Sequence, residues 1–220
     1  MNTYKRYVKR ILDILLCSIA LIALSPIFLI TAVAIKCSSP GPAFYFSDRA
    51  GLNKRPFHFY KFRSMHQTKK DKGMFVADSD RLFPVGKIIR RLKIDELPQL
   101  INVVRGDMSI VGPRPMPCAS VDTTYYGPYQ KILSVRPGLT SAASLYDYTI
   151  GDTYTDDKLY QKEVLPNKLK LEMYYVEHQS FFYDAELVIR TIITIFAVLF
   201  RVKKLPEQRE LRDVKEMADN

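Results

Sequence analysis

Residues 11–35 are largely apolar, with Asp13 the only charge among them and Ser25-Pro26 near the middle. About 25 residues rising ~1.5 Å each make a rod of about 37 Å, longer than the ~30 Å hydrocarbon core of a bilayer. Pro26 has no amide hydrogen and its ring crowds the carbonyl of Ile22. Inside lipid that lost bond is costly, and a hydroxyl such as that of Ser25 can partly repair it. Lys5, Arg6, Lys9 and Arg10 precede the run, and Lys36, Arg49, Lys54 and Arg55 follow it. Both flanks therefore carry the positive charge of a cytoplasmic face. The pattern predicts a membrane helix over residues 1–36 that enters, bends at Ser25-Pro26 and returns to the same side. A kinked helix that crosses the membrane is the alternative these residues leave open. A signal peptide fits less well, because the apolar run exceeds the roughly 7 to 15 residues of an h-region.

Beyond the run, Ser38-Ser39-Pro40-Gly41-Pro42 is a rigid polar break. Aromatic-rich residues 43–48 and 56–65, joined by a segment with Gly51 and Asn53, predict a β-hairpin. A period of two in the second strand sets Lys61 and Arg63 on one face, with Tyr60 and Phe62 on the other. Residues 66–80 are polar and read as a surface loop. Residues 82–92 read as a basic helix. Pro98 forbids that helix from running on but suits the first turn of a new one, so a helix is expected to start near Asp95 with Asp95 and Glu96 at its N-terminus. Such a terminus favours anions. Three prolines in residues 113–117 stiffen the chain around Arg114.

Arg136-Pro137-Gly138 suggests a type II turn, and residues 147–157 an acidic loop carrying tyrosines. Residues 168–177 read as helix. Residues 186–200 are apolar but interrupted by Arg190, too short to span, and closed by Arg201, Lys203 and Lys204; they read as an interfacial helix lying on the membrane. The tail over 206–220 is charged and expected to fray. The fold class expected is α+β: a membrane helix over 1–36, a hairpin, and a helical domain over 37–205 that includes the interfacial helix.

Composition narrows the partners without choosing among them. The 220 residues carry a net charge of +10, which suits a lipid headgroup surface, a phosphorylated substrate or nucleic acid. Beyond the membrane segment there is room for one domain with a real core. Cys17, Cys37 and Cys118 are odd in number and widely spaced, which supports neither a disulfide framework nor a zinc site and fits a reducing cytosol. His58, His66 and His178 show no metal-ligand spacing. Tyr125, Tyr126, Tyr146, Tyr148 and Tyr154 can stack on a base or fill a core edge equally well.

The candidate chemistry centres on Asp95-Glu96. Arg90 lies nearby in sequence, Lys61 and Arg63 share a strand face, and Arg114 sits in a proline-locked loop. Together these cations can neutralise a diphosphate while the carboxylates hold a divalent cation, the parts phosphoryl transfer needs. The alternative is that Arg90 and Arg114 only form ion pairs with Asp95, Asp107 or Glu172.

Lys61-Phe62-Arg63-Ser64-Met65, then Asp95-Glu96-Leu97-Pro98-Gln99-Leu100, then Gly106-Asp107-Met108-Ser109-Ile110-Val111-Gly112-Pro113-Arg114-Pro115 resemble the signature blocks of the bacterial sugar transferases. These are the monotopic polyprenyl-phosphate phosphoglycosyl transferases, here in a small single-domain form. The similarity extends from Lys9 to Thr191 and takes in Ser25-Pro26, Ser39-Pro40-Gly41-Pro42, Tyr174-Tyr175-Val176, Ser180 and Asp184.

The resemblance implies a magnesium-dependent, two-step reaction at the cytoplasmic face of a bacterial inner membrane, opening the assembly of a lipid-linked glycan. Asp95 would attack the sugar-linked phosphate of a UDP-sugar and release UMP, and polyprenyl (undecaprenyl) phosphate would then take the phosphosugar. Glu96 would bind magnesium with Asp95 or handle a proton. Lys61, Arg63, Arg90, Arg114 and Glu172 would bind phosphate or substrate. Membrane lipid is an implied partner and nucleic acid is not; monomer and homodimer both remain open. Three departures fall where substrate choice is decided: Ser47 where the family often has glutamine, the run from Leu139 to Ser144 after Pro137-Gly138, and Glu172 where aspartate is common. Two rivals remain. A membrane-tethered binder of anions explains the charge but not an Asp-Glu pair beside a fixed arginine. A glycosyltransferase that moves sugar without phosphate would release UDP instead of UMP.

Overall fold

A computed structural model describes residues 4–66, 81–200, 202 and 209–218. The expected surface loop lies, from residue 67 onward, outside the described residues, as do Arg201, Lys203 and Lys204.

After a π-helical turn at Tyr4–Val8, α1 (Lys9–Ala23) and α2 (Ser25–Ser38) meet at a 60° bend. Pro26 sits in the first turn of α2, where its missing amide costs least. The Ser25 hydroxyl donates to the Ile22 carbonyl at 2.8 Å, the bond anticipated for that oxygen, which also accepts from a backbone amide at the cap of α1. Among the described residues no single helix is long and apolar enough to cross a membrane, but this bent pair passes that test together. Its outer surface exposes Ile11, Leu15, Ile19, Ile22, Leu29 and Ile30.

The inner face of α1 is docked on the rest of the chain. Asp13 is buried and accepts from the Ser109 hydroxyl at 2.7 Å and the Ile110 amide at 3.1 Å. Arg10 donates to the carbonyls of Val103 and Val104, and Lys9 pairs with Asp184 at 2.5 Å. Cys17, one turn beyond Asp13, packs with Phe57, Phe59, Leu100, Val103 and Met108. The bend therefore leaves from a fixed base.

The hairpin forms as expected. β1 (Phe44–Ala50) and β2 (Pro56–Phe62) pair antiparallel, with Phe44 opposite Phe62 and Ala50 opposite Pro56. Asn53 and Lys54 take left-handed φ of 53° and 62° in the turn. Next come α3 (Pro84–Arg91), a 3₁₀ turn at Ile94–Glu96, α4 (Gln99–Arg105) and β3 (Ser109–Val111). They are followed by α5 (Val121–Thr124), β4 (Gly138–Thr140), α6 (Ala142–Thr149), α7 (Asp157–Glu163), α8 (Leu165–His178), α9 (Phe181–Leu199) and α10 (Arg209–Ala218). The result is a helix-rich fold with two small sheets, the hairpin and the parallel pair β3 and β4. A core of Leu145, Leu171, Tyr175 and Leu187 lies among α6, α8 and α9.

Three local expectations are corrected. Gly138 does not close a type II turn; it opens β4, and a Cβ there would lie 2.1 Å from the Gly112 amide nitrogen, so glycine permits close strand approach. Asp147 and Tyr148 belong to α6 rather than a loop, and Gly151–Thr153 turns the chain toward α7. The tail does not fray throughout: α10 buries Glu210 against Arg190 at 2.6 Å, and Tyr174 reaches Asp213 at 3.1 Å. Charge patterning concealed this, because Glu210 faces inward only where α9 supplies an arginine. On α9 itself Phe182, Ile189, Ile192, Ile193 and Phe196 are exposed while Tyr183, Leu187 and Thr194 are buried, the one-sided pattern of an amphipathic helix.

Candidate active site

Asp95 and Glu96 are held on a single 3₁₀ turn between α3 and α4. Lys93 takes a left-handed φ of 55°, which stops the helical path of α3, and its ammonium lies 3.9 Å from the centroid of the Tyr148 ring. Pro98 caps α4, so the regular helix begins at Gln99 and not at Asp95. The expected helix start is thus displaced by one short turn, because 3₁₀ geometry absorbs the residues between Lys93 and the proline.

Glu96 is the anchored member of the pair. Its Oε1 accepts from Lys61 Nζ and from Arg114 Nη2, each at 2.8 Å. Burial works against its charge, yet Arg114 and Lys61 outweigh burial and hold its pKa well below the usual carboxylate range. Asp95 is the unanchored member. It is 5% exposed, and its buried Oδ1 has no hydrogen-bond partner among the described residues. Burial pushes its pKa up to about 6; Lys61, Arg90 and Lys93 pull it down while the charge of Glu96 adds to the rise. One carboxylate is locked and ionised, the other free and poised, the division of labour expected of neighbouring acids with different tasks.

Arg114 is fixed along its backbone as well as through its guanidinium. Glu172 Oε1 accepts from the Arg114 amide at 3.0 Å, and the Ala50 amide donates to the Met116 carbonyl at 2.9 Å. Glu172 is 3% exposed, and burial raises its carboxyl to about 8 against the opposing Arg114 amide and Lys168. It touches the loop that carries Arg114, so its place is beneath the cluster. The ion-pair alternative is met in part: Arg114 does pair, but with Glu96, and Glu172 takes only its amide.

Arg90 stands near Asp95 electrostatically and places Nη1 3.8 Å from Met65 Sδ. Arg63 does not join the cluster. β2 ends at Phe62, the alternation lapses, and the Arg63 guanidinium, 4% exposed, donates to the carbonyls of Ser39 and Pro40 at 2.8 and 2.6 Å. It satisfies carbonyls left open after α2, a structural role in place of the expected phosphate contact.

Of the tyrosines, Tyr125 and Tyr146 are buried and Tyr154 bonds Glu163, while Tyr148 lies beneath Lys93. Sequence reading missed Lys93 and Arg49. The alternation that placed Lys61 on a face would have placed Arg49 there too, had it been carried across the hairpin.

Among the described residues no group of three or more His, Cys, Asp or Glu side chains converges on a metal-sized site. Asp95 and Glu96 supply two carboxylates, and magnesium is commonly held by one or two carboxylates completed by substrate phosphates. The donor set fits that mode, with the Asp95 oxygen left over for it.

The chain belongs to the bacterial sugar transferase family, whose description matches residues 4–198. It is 41% identical over 196 residues to an Aeromonas hydrophila protein named UDP-N-acetylgalactosamine-undecaprenyl-phosphate N-acetylgalactosaminephosphotransferase, covering 86% of this chain and 44% of the relative. It is 37% identical to a UDP-glucose:undecaprenyl-phosphate glucose-1-phosphate transferase of Caulobacter vibrioides, covering 84% and 68%. The same name belongs to an Escherichia coli relative at 34% identity, with 89% of this chain and 42% of the relative covered. The chain thus spans less than half the length of two of these relatives.

Proposed function

We propose that this protein transfers a sugar-1-phosphate from a UDP-sugar to polyprenyl phosphate and releases UMP. The observation that carries the reading is the pairing of an ionised, doubly clamped Glu96 with a neighbouring Asp95 whose buried Oδ1 is unpartnered among the described residues. Relatives named as undecaprenyl-phosphate sugar phosphotransferases support it.

In the first step an Asp95 carboxylate oxygen attacks the sugar-linked phosphorus. The bond from that phosphorus to the bridging oxygen breaks, and UMP departs with the electron pair, leaving an acyl phosphate on the enzyme. In the second step a phosphate oxygen of the polyprenyl phosphate attacks the same phosphorus and returns the carboxylate. Arg114 and Lys61 neutralise charge that builds on the phosphoryl oxygens, and Arg90 and Lys93 add to that field. Magnesium, held by Asp95 and Glu96 with the substrate phosphates, would supply further neutralisation. Glu172 keeps Arg114 in place from beneath.

The bent pair α1 and α2 fits a re-entrant element that keeps both ends on the cytoplasmic face, with the chain beyond it, to about residue 205, forming a monotopic catalytic domain there. The exposed apolar faces of α1, α2 and α9 support this, as do the basic flanks. The lipid phosphate would then meet the soluble nucleotide-sugar at the membrane surface, in the first membrane step of a glycoconjugate pathway. The test is to mix detergent-purified protein with UDP-sugars, polyprenyl phosphate and magnesium. UMP is the expected nucleotide product; release of UDP, or no nucleotide with any sugar, overturns the reading.

A further inference from the structure

Among the described residues Arg49 stands at this cluster without an ion pair to a carboxylate. It stands on β1 opposite Phe57, and Ser47 stands opposite Phe59. Directly opposed residues of an antiparallel pair point to the same side, so Arg49, Phe59 and Lys61 share a face. The Arg49 guanidinium and the Lys61 ammonium lie 5.4 and 5.2 Å from the centroid of the same Phe59 ring.

Its hydrogen bonds are long: Nε to Ser47 Oγ at 3.4 Å and Nη1 to the Pro115 carbonyl at 3.3 Å. Pro115 follows Arg114, so the two guanidiniums flank one stretch of backbone. Lys61 and Arg114 both pair with Glu96; among the described residues Arg49 has no ion pair. Burial, followed by the charge of Arg114, lowers its pKa to about 10. A guanidinium carries five donors, two of which are occupied here, and a largely desolvated charge is stable only when an opposite charge completes it. Glu96 is already clamped by Lys61 and Arg114, and among the described residues no carboxylate pairs with Arg49, so an anion brought by a ligand would complete it.

We propose that Arg49 binds a phosphate group of the substrate, as a second guanidinium beside Arg114. This deepens the transferase reading and rests on it for the identity of the anion, which is a phosphate of either the nucleotide-sugar or the polyprenyl phosphate. Nothing in the conversion itself is assigned to Arg49. Its contribution is affinity and the placement of one phosphate against the face that Phe59 backs.

The test reads binding in the full chain. UDP and a short-chain polyprenyl phosphate in detergent micelles are titrated separately, with magnesium present, into the wild type, Arg49→Gln and Arg49→Lys. Loss of one charge-assisted contact weakens the relevant ligand about tenfold or more in Arg49→Gln. Arg49→Lys, which keeps the charge but not the fork, recovers part of that loss. Weakening of UDP alone assigns the nucleotide-sugar phosphate, and weakening of the lipid alone assigns the acceptor phosphate. A role confined to holding the Pro115 loop is separated by NMR: the Arg49 guanidinium resonance, identified by its loss in Arg49→Gln, shifts on saturation only if phosphate reaches it. Equal affinities in wild type and Arg49→Gln for both ligands, or a resonance that stays in place at saturation, overturn the site. Failure of the transferase reading looks different, because the wild type would then bind these anions yet release no UMP.

Discussion

Two buried carboxylate clusters in this protein are built to opposite ends. Glu210 of α10 is 0% exposed, and its oxygens accept from Arg190 at 2.6 and 3.2 Å and from Tyr183 at 3.0 Å. Burial opposes its charge, but the Arg190 hydrogen bond and charge outweigh burial and lower its pKa. Asp95 is buried almost as deeply, yet among the described residues Oδ1 has no partner, nor have Gln99 Nε2 and Glu172 Oε2. Arg49 adds a charge without an ion pair among those residues. A satisfied polar network fastens one element to another. An unsatisfied one, placed where several cations meet two acids, leaves polar groups that a ligand can complete. The difference separates the part of the molecule that holds α9 in place from the part proposed to handle phosphate.

The comparison can be broken first at Asp95. Asp95→Asn should lower UMP release by about 10³-fold or more while leaving the thermal midpoint unchanged or higher, since no bond to Oδ1 is lost. Near-wild-type turnover in that variant would remove Asp95 from the chemistry. The mirror experiment is Glu210→Ala, which removes the buried partner of Arg190 and leaves it the longer contact with Glu186 at 3.4 Å. It should cost about 3 kcal/mol of stability, seen as a lower midpoint in detergent, with turnover of the folded fraction little changed.

Glu172 sharpens the contrast through pH. Folded, its carboxyl is raised to about 8; unfolded, it returns to ~4.3. Between those values the unfolded chain has released a proton that the folded chain retains. Stability therefore falls as pH rises through this window, by up to about 1.4 kcal/mol per unit, and levels off above about 8. Glu172→Gln should flatten the slope of midpoint against pH; an unchanged slope would assign it elsewhere. The smallest effect is expected from Ser25→Ala, which removes the hydroxyl bond to the Ile22 carbonyl at the bend and should cost about 1 kcal/mol by thermal unfolding.

The elements visible in the sequence are those whose cause is local. Pro26 cannot donate to the Ile22 carbonyl one turn before it and the Ser25 hydroxyl does, the aromatic runs flank a turn at Asn53, and Pro98 fixes the start of α4 to within one turn. Asp95, Glu96, Lys61 and Arg114 were legible because a charged pair beside a proline and a stiffened arginine are written in short blocks. Long-range pairings were hidden. Asp13 reads as an interfacial charge until Ser109 and Ile110 are found beside it, and Glu210 as a solvated one until Arg190 is. Arg63 was misplaced because strand alternation says nothing about where a strand stops. Gly138 was misread because a glycine needed for close backbone approach looks, in sequence, like one needed for a turn.

The account turns on a phosphosugar carried by Asp95, and the intact mass of the protein tests it most directly. Full-length protein incubated with magnesium and its UDP-sugar, without polyprenyl phosphate, should release UMP in stoichiometric amount and gain the mass of one phosphosugar on the peptide that contains Asp95. Adding polyprenyl phosphate should discharge it. An unmodified protein that nonetheless turns over in the complete mixture, or a modification on another residue, would contradict it.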